Sequence, residues 1–355
     1  MYTTKPISLF KSHPEAAAEP PPEGRNAGYL VVKSARDELD DETTWFGPTG
    51  RLLGLPFPQN RVLRVEYGEE YETVVFVPVP DMPLTYSRYY VVVPSGNDKG
   101  LVMACSREED VTMCCLHRSI PDAEPRPFDP ADIYQQIEIV QHERGSFTAR
   151  AVTADGFPPS IFRSMYWKVY DHESNKKIVD LGVAPGLDVS RRLAYVPLGA
   201  GKAAVGKWYC PFFLVEEHGM GRGAFYEVVL EQRWEPMHGD AVRHGDDSSK
   251  LAMKVLIGGS IEVRSEEALS SLQGATYMWF VAATGQKVGV CTMVCERMLW
   301  EVTKAGWVDE EKDAGRVAHE SMVLVERFVV KRMDGSVVVA IDFVHLNVTK
   351  ANKLV

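Results

Sequence analysis

Nothing in this chain of 355 residues approaches the roughly 18 consecutive apolar residues of a membrane span, and its first residues lack the basic-then-apolar pattern of a secretion signal. The default expectation is therefore a cytoplasmic protein without a transmembrane segment. Basic residues are outnumbered, 39 against 49, for a net charge of -10. An acidic surface repels phosphate backbones, so no nucleic-acid partner is expected, and an anionic bilayer offers no general attraction. Cysteine is sparse. Cys105, Cys114, Cys115, Cys210, Cys291 and Cys295 lie mostly inside apolar runs, where they read as buried thiols rather than disulfides. No motif nominates a catalytic residue or a bound cofactor, and none of either is expected.

What the chain does have is β-forming sequence. Its organising stretch runs from Val205 to Met237: two aromatic-rich apolar runs flank the glycine-rich HGMGRGA, the signal for a long β-hairpin. Trp208, Tyr209, Phe212, Phe213, Phe225, Tyr226 and Trp234 give it the densest aromatic load in the chain. A hairpin so apolar needs other strands to cover it, so these side chains should be largely buried.

Around that centre the expected organisation has four parts. Residues 1–27 form a proline-rich arm, because Pro20, Pro21 and Pro22 in succession forbid helix and central strand. Tyr2, Ile7, Leu9 and Phe10 give the arm something to bury, which favours an arm packed on the body. Residues 28–152 read as an N-terminal β-rich part. Its strands, Tyr29 to Lys33, Arg61 to Tyr67, Thr73 to Val79, Arg88 to Val93 and Gly100 to Ser106, argue for an antiparallel meander. Pro121 to Pro130 reads as a linker, and Ile133 to Gln141 pairs with Phe147 to Val152. Residues 153–204 form a connecting segment, with a short helix expected over Ser160 to Tyr170 from Ile161, Met165 and Val169 at four-residue spacing.

Residues 205–355 read as a C-terminal β-rich part. It adds a strand at Leu251 to Ile257, helical turns at Ser265 to Leu272, a hairpin from Tyr277 to Ala283 and Val288 to Val302, and a last hairpin across Met333-Asp334-Gly335. The expected fold class is mainly β: two packed parts of antiparallel hairpins with a few short helices, the alternative being α+β.

The candidate chemistry is thin. GKAAVGKW (201–208) has the glycines and lysine of a phosphate loop, but Trp208 stands where the magnesium-binding hydroxyl belongs and the segment opens a strand, so the motif is rejected. A duplicated HGD (His238, Asp240, His244, Asp246) carries metal-ligand residue types in a polar loop, and whether it binds metal is open at this level. Cys114, Cys115 and His117 set thiols beside an imidazole, without the third orienting group that nucleophilic chemistry needs. Among Asp129, Asp132, Glu138, Glu216, Glu217, Glu227 and Glu231 nothing marks a facing catalytic pair. A faint echo recurs: an apolar pair, Glu, then Arg nearby, at Glu231/Arg233, Glu296/Arg297 and Glu326/Arg327. Cross-strand Glu–Arg pairs stabilise a half-exposed face modestly, and three short matches do not establish a repeat.

The opening MYTTKPISLF, then PPPEGRNAGYLVV, LPFPQNRVL, RPFDPADIYQQIEIVQHERGSFTA, DGFPPSIFRSMYWKVY, GKWYCPFFLVEE, YEVVLEQRWE and VLVERFVVKRMDGSVVVAIDF resemble a plant-specific family catalogued as domain of unknown function 1262, nearly end to end. The resemblance implies a plant protein without signal peptide from a group associated with stress and defence, and carries over no catalytic residues. Two expectations follow. The first is a non-enzymatic binding protein with a protein or membrane-receptor partner, insecticidal through gut-cell binding or a pore-forming, toxin-like action. The alternative is an enzyme with an unrecognised site in a cleft near the 121–130 stretch, where His117, His142 and Glu231 are the residues to replace. The oligomeric state is left open.

Overall fold

The computed structural model describes residues 1–34, 37, 43–44, 47–114, 117–143, 145–171, 181–184, 186–187, 196, 199, 201–211, 214–218, 225–236, 251–265, 277–294, 296–298 and 320–352. The fold is mainly β, with antiparallel sheets and a few short helices. The principal elements are β1 (Tyr2–Pro6), α1 (Ile7–Ser12), β2 (Gly28–Val32), β3 (Leu63–Tyr67), β4 (Glu70–Pro78), β5 (Arg88–Val92) and β6 (Val102–Ala104). Then come β7 (Ala123–Arg126), β8 (Gln136–His142), β9 (Ser146–Ala151), α2 (Ser160–Arg163) and β10 (Lys168–Asp171). The remaining strands are β11 (Ala203–Cys210), β12 (Val215–Glu217), β13 (Tyr226–Pro236), β14 (Leu251–Ile257), β15 (Ser260–Ser265), β16 (Tyr277–Val281), β17 (Lys287–Cys291), β18 (Glu320–Arg332) and β19 (Val337–Asn352).

A nine-stranded central sheet has the order β2-β1-β11-β13-β18-β19-β14-β15, with Gly186–Leu187 joining β11. The arm is packed: β1 runs parallel to β2 and antiparallel to β11, pairing Tyr2 with Tyr209. It is not one extended segment, since α1 and a 3-10 turn at Pro14–Ala18 follow the strand. Ile7, Phe10 and Ala16 bury there against Val31 and Leu84, which explains why so short a helix forms.

A second nine-stranded sheet contains the expected meander without its first strand, in the order β7-β6-β5-β4-β3-β10, with Arg51–Leu52 beyond β10 and the β8–β9 hairpin attached to β5. The strand expected at Tyr29 to Lys33 is instead β2 of the central sheet, drawn there by its parallel pairing with β1. The stretch read as a linker is an edge strand, because β7 pairs with β6 in spite of Pro125. Pro is admissible there, since an edge strand has one side with no ladder to donate to. A small third sheet runs β12-β17-β16.

One core joins all three sheets. Val75, Val77, Tyr90 and Val92 of the second sheet meet Trp208, Leu230, Phe328 and Phe343 of the central sheet and Phe280 and Val290 of the small one. Tyr2 stitches two of them, its buried hydroxyl donating to the Pro78 carbonyl at 2.6 Å. The opposite face of the second sheet buries an aromatic cluster: Trp167 lies 5.3 Å from Phe147, 5.5 Å from Phe162 and 6.4 Å from Phe76, ring to ring.

The central hairpin forms with one change. β11 pairs with β13 from Cys210↔Tyr226 to Ala203↔Gln232, but the chain beyond Pro211 leaves that ladder and becomes β12 of the small sheet. Trp208 is 2% exposed; Trp234 is half-buried and donates its Nε1–H to the Val196 carbonyl at 2.7 Å. Phe212 and Phe213 lie outside the described residues.

Two helix expectations need correction. Only Ser160–Arg163 is helical in the 160–170 stretch; Tyr166 takes a left-handed φ of 65°, Trp167 drops into the core, and Val169 belongs to β10. The four-residue spacing was coincidence: Met165 is exposed, while Ile161 and Val169 bury from different elements. Beyond Cys291, where a strand to Val302 was expected, residues 292–294 and 296–298 are helical, with Val294 and Met298 packed into the core. Ile133 belongs to a 3-10 turn and is exposed, so the strand expected from Ile133 begins at Gln136, with Ile137 and Ile139 buried. The last hairpin turns at Gly335, φ 86°, as the Asp-Gly signal requires. The Ser265 to Leu272 turns fall outside the described residues from 266 on.

Candidate functional site

The Glu–Arg echo leads to a charged seam across the central sheet. The register sets Glu231 of β13 opposite Arg327 of β18, and Arg327 opposite Asp342 of β19. Arg327 grips Asp342 with two prongs, Nε to Oδ1 at 2.6 Å and Nη2 to Oδ2 at 2.7 Å, and Arg233 adds a third bond at 3.0 Å. Asp342 is 4% exposed. The hydrogen bond that Arg327 donates to Asp342 is the main cause that raises its guanidinium above the ordinary range. Lys202 donates to Glu231 at 2.9 Å. Lys207, the motif lysine of GKAAVGKW, lies within β11 and pairs with Glu227, so the segment continues as a strand.

On the other face of the same strands Gln232 donates to Glu326 at 2.9 Å, and His345 Nε2 lies 3.3 Å from the second Glu326 oxygen. Glu217 is caught between the Arg332 guanidinium and the Tyr226 hydroxyl, which donates at 3.1 Å. Burial first, and Glu217 second, raise the Tyr226 phenol. Glu326 and Asp342 are engaged within the central sheet, an arrangement that fixes register, whereas Glu217 of β12 ties the small sheet to β13 and β18 of the central one. The third echo pair breaks the pattern, because Glu296 and Arg297 are helical.

The thiols point away from nucleophilic chemistry. Cys105, Cys210 and Cys291 are buried and free, and burial pushes them up to about 12, 12 and 11, so they stay protonated. Cys114 and His117 are register partners on two short antiparallel strands. Cys115, Cys295 and the HGD loop (His238, Asp240, His244, Asp246) lie outside the described residues. Among the described residues no group of three or more His, Cys, Asp or Glu is placed to hold a metal ion. His142 bonds Thr148 at 2.8 Å and packs its ring 5.1 Å from that of Tyr166, a hairpin contact. Asp132 caps the turn at Tyr134 and binds Arg126 at 2.8 Å, and Glu227 pairs with Lys207 at 2.6 Å.

An open cleft of about 430 Å³ lies beside β8. Its floor is aliphatic: Leu55, Pro56, Leu84 and Ala17. The local sequence builds it in three steps. Pro83 starts a 3-10 turn over Leu84–Tyr86, which ends at Ser87 in the left-handed region, φ 52°. The Ser87 carbonyl then accepts from the Ile139 N–H at 2.9 Å, which docks the turn against β8. Gln141 clamps the opposite wall by donating to the Leu53 carbonyl at 3.2 Å and accepting from the Leu55 N–H at 3.1 Å, beside the cis Leu55–Pro56 bond. The rim is polar. Tyr86 stands 54% exposed, and Glu138 sits in a three-strand row between Arg88, at 3.7 Å, and Arg150, at 3.8 Å.

Sequence reasoning named Glu138 but missed Tyr86, Leu84, Gln141 and Arg150. They come from segments far apart in the chain, and only the proline-punctuated LPFPQN and the Pro83 turn hinted at a shaped wall.

A second groove, about 380 Å³, is lined by Glu69, Glu70, Glu72, Asp122 and Ile161, all within residues 69–161. Asp122 there is held by Ser160 and Arg163.

Among the described residues the fold is that of a mainly antiparallel β protein with three principal sheets on a shared core and three further two-stranded pairs. Residues 23–116 match the model of a family described as a protein of unknown function (DUF1262). The matched segment carries β3 to β6 and the Leu55 and Leu84–Ser87 walls of the cleft; Glu138, Gln141 and Arg150 lie outside it. No curated protein matches the chain significantly.

Proposed function

We propose that the protein acts by binding rather than by catalysis, with the cleft beside β8 as its ligand site. The cleft carries this reading. Its volume of about 430 Å³ is in the range of small-molecule sites, with an aliphatic floor, one exposed aromatic ring and a polar rim. The buried carboxylates of the central and small sheets support it, being engaged by Arg327, Arg233, Arg332, Lys202 and Gln232. The setting is plant stress and defence in the cytoplasm, and it rests on the family resemblance. Action on a feeding insect is the sharper form of that setting. It involves binding at gut cells, since the β18–β19 hairpin is laddered on both sides and inserting it would break both pairings.

Ligand-observed NMR of the purified protein against a fragment set tests the site. Expected are binders that Tyr86→Ala weakens, because that exposed ring lines the cleft and is not part of a buried cluster. A screen without binders, or with binders indifferent to that change, overturns the reading. Larval feeding that gives normal growth removes the insecticidal form alone.

An enzymatic reading keeps one observation, the acidic groove containing Asp122 at the 121–130 stretch. Turnover lost in Glu72→Gln would establish it.

A further inference from the structure

We propose that the ligand of the cleft beside β8 is an amphipathic monocarboxylate, its tail on Leu55, Pro56 and Leu84 and its carboxylate against Arg150. This rests on the binding reading above and specifies its chemistry.

The argument is one of charge and geometry. Register places Arg88, Glu138 and Arg150 in one row across β5, β8 and β9. Two guanidiniums thus share one carboxylate, and the row carries one positive charge that Glu138 does not neutralise. The separations matter as well. Direct charge-assisted bonds close to about 2.7–2.9 Å, whereas Glu138 stands 3.7 Å from Arg88 and 3.8 Å from Arg150. Contrast Arg327, whose two prongs meet Asp342 at 2.6 and 2.7 Å. The Glu138 row is loose, so its guanidiniums keep donor capacity for a second acceptor.

Arg150 is also the more reachable, with its side chain 68% exposed, and it lines the cleft together with Glu138. A guanidinium fork fits a carboxylate bidentately. The floor adjoining this rim is aliphatic and holds no charged residue, which suits a hydrocarbon or aryl tail. A cationic head would meet the surplus positive charge, and a neutral head would leave it unanswered. A dianionic phosphate would outweigh a surplus of one.

The test uses the full chain and three ten-carbon probes below their aggregation limits: decanoate, decan-1-ol and decylamine, titrated by isothermal calorimetry. Decanoate should bind best. Arg150→Glu should weaken it by about tenfold, the reversal of one partly exposed charge. Arg150→Lys should retain most of the affinity. Glu138→Gln should act oppositely and tighten decanoate, because it removes the competing carboxylate; a merely structural change would not give opposite signs at these two positions.

Decan-1-ol or decylamine binding as well as decanoate overturns the carboxylate assignment and leaves the binding reading standing. Decanoate binding that ignores both Arg150→Glu and Glu138→Gln places the probe elsewhere and also overturns it. No binding of any probe overturns it too, and together with an empty fragment screen it removes the binding reading.

Discussion

Replacing Asp342 with alanine should cost this protein about 3 kcal/mol of stability, the low end of the range for removing one partner of a buried ion pair. Asp342 accepts three bonds, at 2.6, 2.7 and 3.0 Å, from Arg327 and Arg233. Hydrogen bonds to charged groups are worth roughly 1.5–3 kcal/mol each, but these three share one carboxylate and do not add. The Arg327 side chain is 28% exposed and regains some water when its partner goes, whereas Arg233, at 15%, regains less. That asymmetry sets the estimate at the lower end. The assay is urea denaturation followed by tryptophan fluorescence and far-ultraviolet circular dichroism, with coincident transitions required before a free energy is taken.

The sharper measurement is a cycle with Arg327→Met. If Asp342 chiefly compensates a buried guanidinium, the double variant should recover about 2 kcal/mol relative to the sum of the singles. A loss below about 1 kcal/mol in Asp342→Ala, the worth of a surface pair, with additive singles, refutes the claim that the seam is a structural device.

Four further outcomes are expected. Above pH 9 stability should fall, because unfolded thiols ionise near 9 while Cys105 and Cys210 hold their protons to about 12 and Cys291 to about 11; pH-dependent urea midpoints should show a slope approaching 1.4 kcal/mol per unit per thiol until the folded groups titrate. In accord, native protein at pH 8 should react with an aromatic disulfide reagent far more slowly at these three cysteines than urea-unfolded protein does, as mass spectrometry of the labelled peptides would show. Trp167→Ala should cost about 3–5 kcal/mol, seen in the denaturation midpoint, since its ring fills a cage of Phe76, Phe147 and Phe162. Gly145→Ala should also destabilise, by about 1–3 kcal/mol, because a Cβ there would stand 2.8 Å from the Leu53 backbone and the residue holds φ 62°.

Much of the second sheet was legible in the chain because its strands are local. β3 to β6 follow one another with turns between, and period-two patterning reports such pairing directly. The β8–β9 and β18–β19 hairpins were readable for the same reason. Non-local pairing was not. Val215 to Glu217 continues the apolar run of β11, and nothing in its spelling says that it turns away after Pro211 to join β17. Likewise β7 carries prolines that read as linker, and only its partner β6 makes it a strand. Of the cleft, one residue in the rim row, Glu138, stood out among the carboxylates. Arg88, Tyr86 and Arg150 acquire meaning from a register between strands that the chain does not spell.

The placement of β1 has a consequence for the order of assembly. Tyr2 finds its partner at Tyr209, about 200 residues along, so the arm leaves the ribosome long before β11 exists to receive it. The second sheet, with its short-range contacts, can close in that interval, and Tyr2 can anchor early through its bond to Pro78. The central sheet is then finished by capture of a strand already waiting beside β2. A partner or fusion that occupied the arm during synthesis would therefore disturb both the closing of the central sheet and the cleft, whose floor includes Ala17 of the arm.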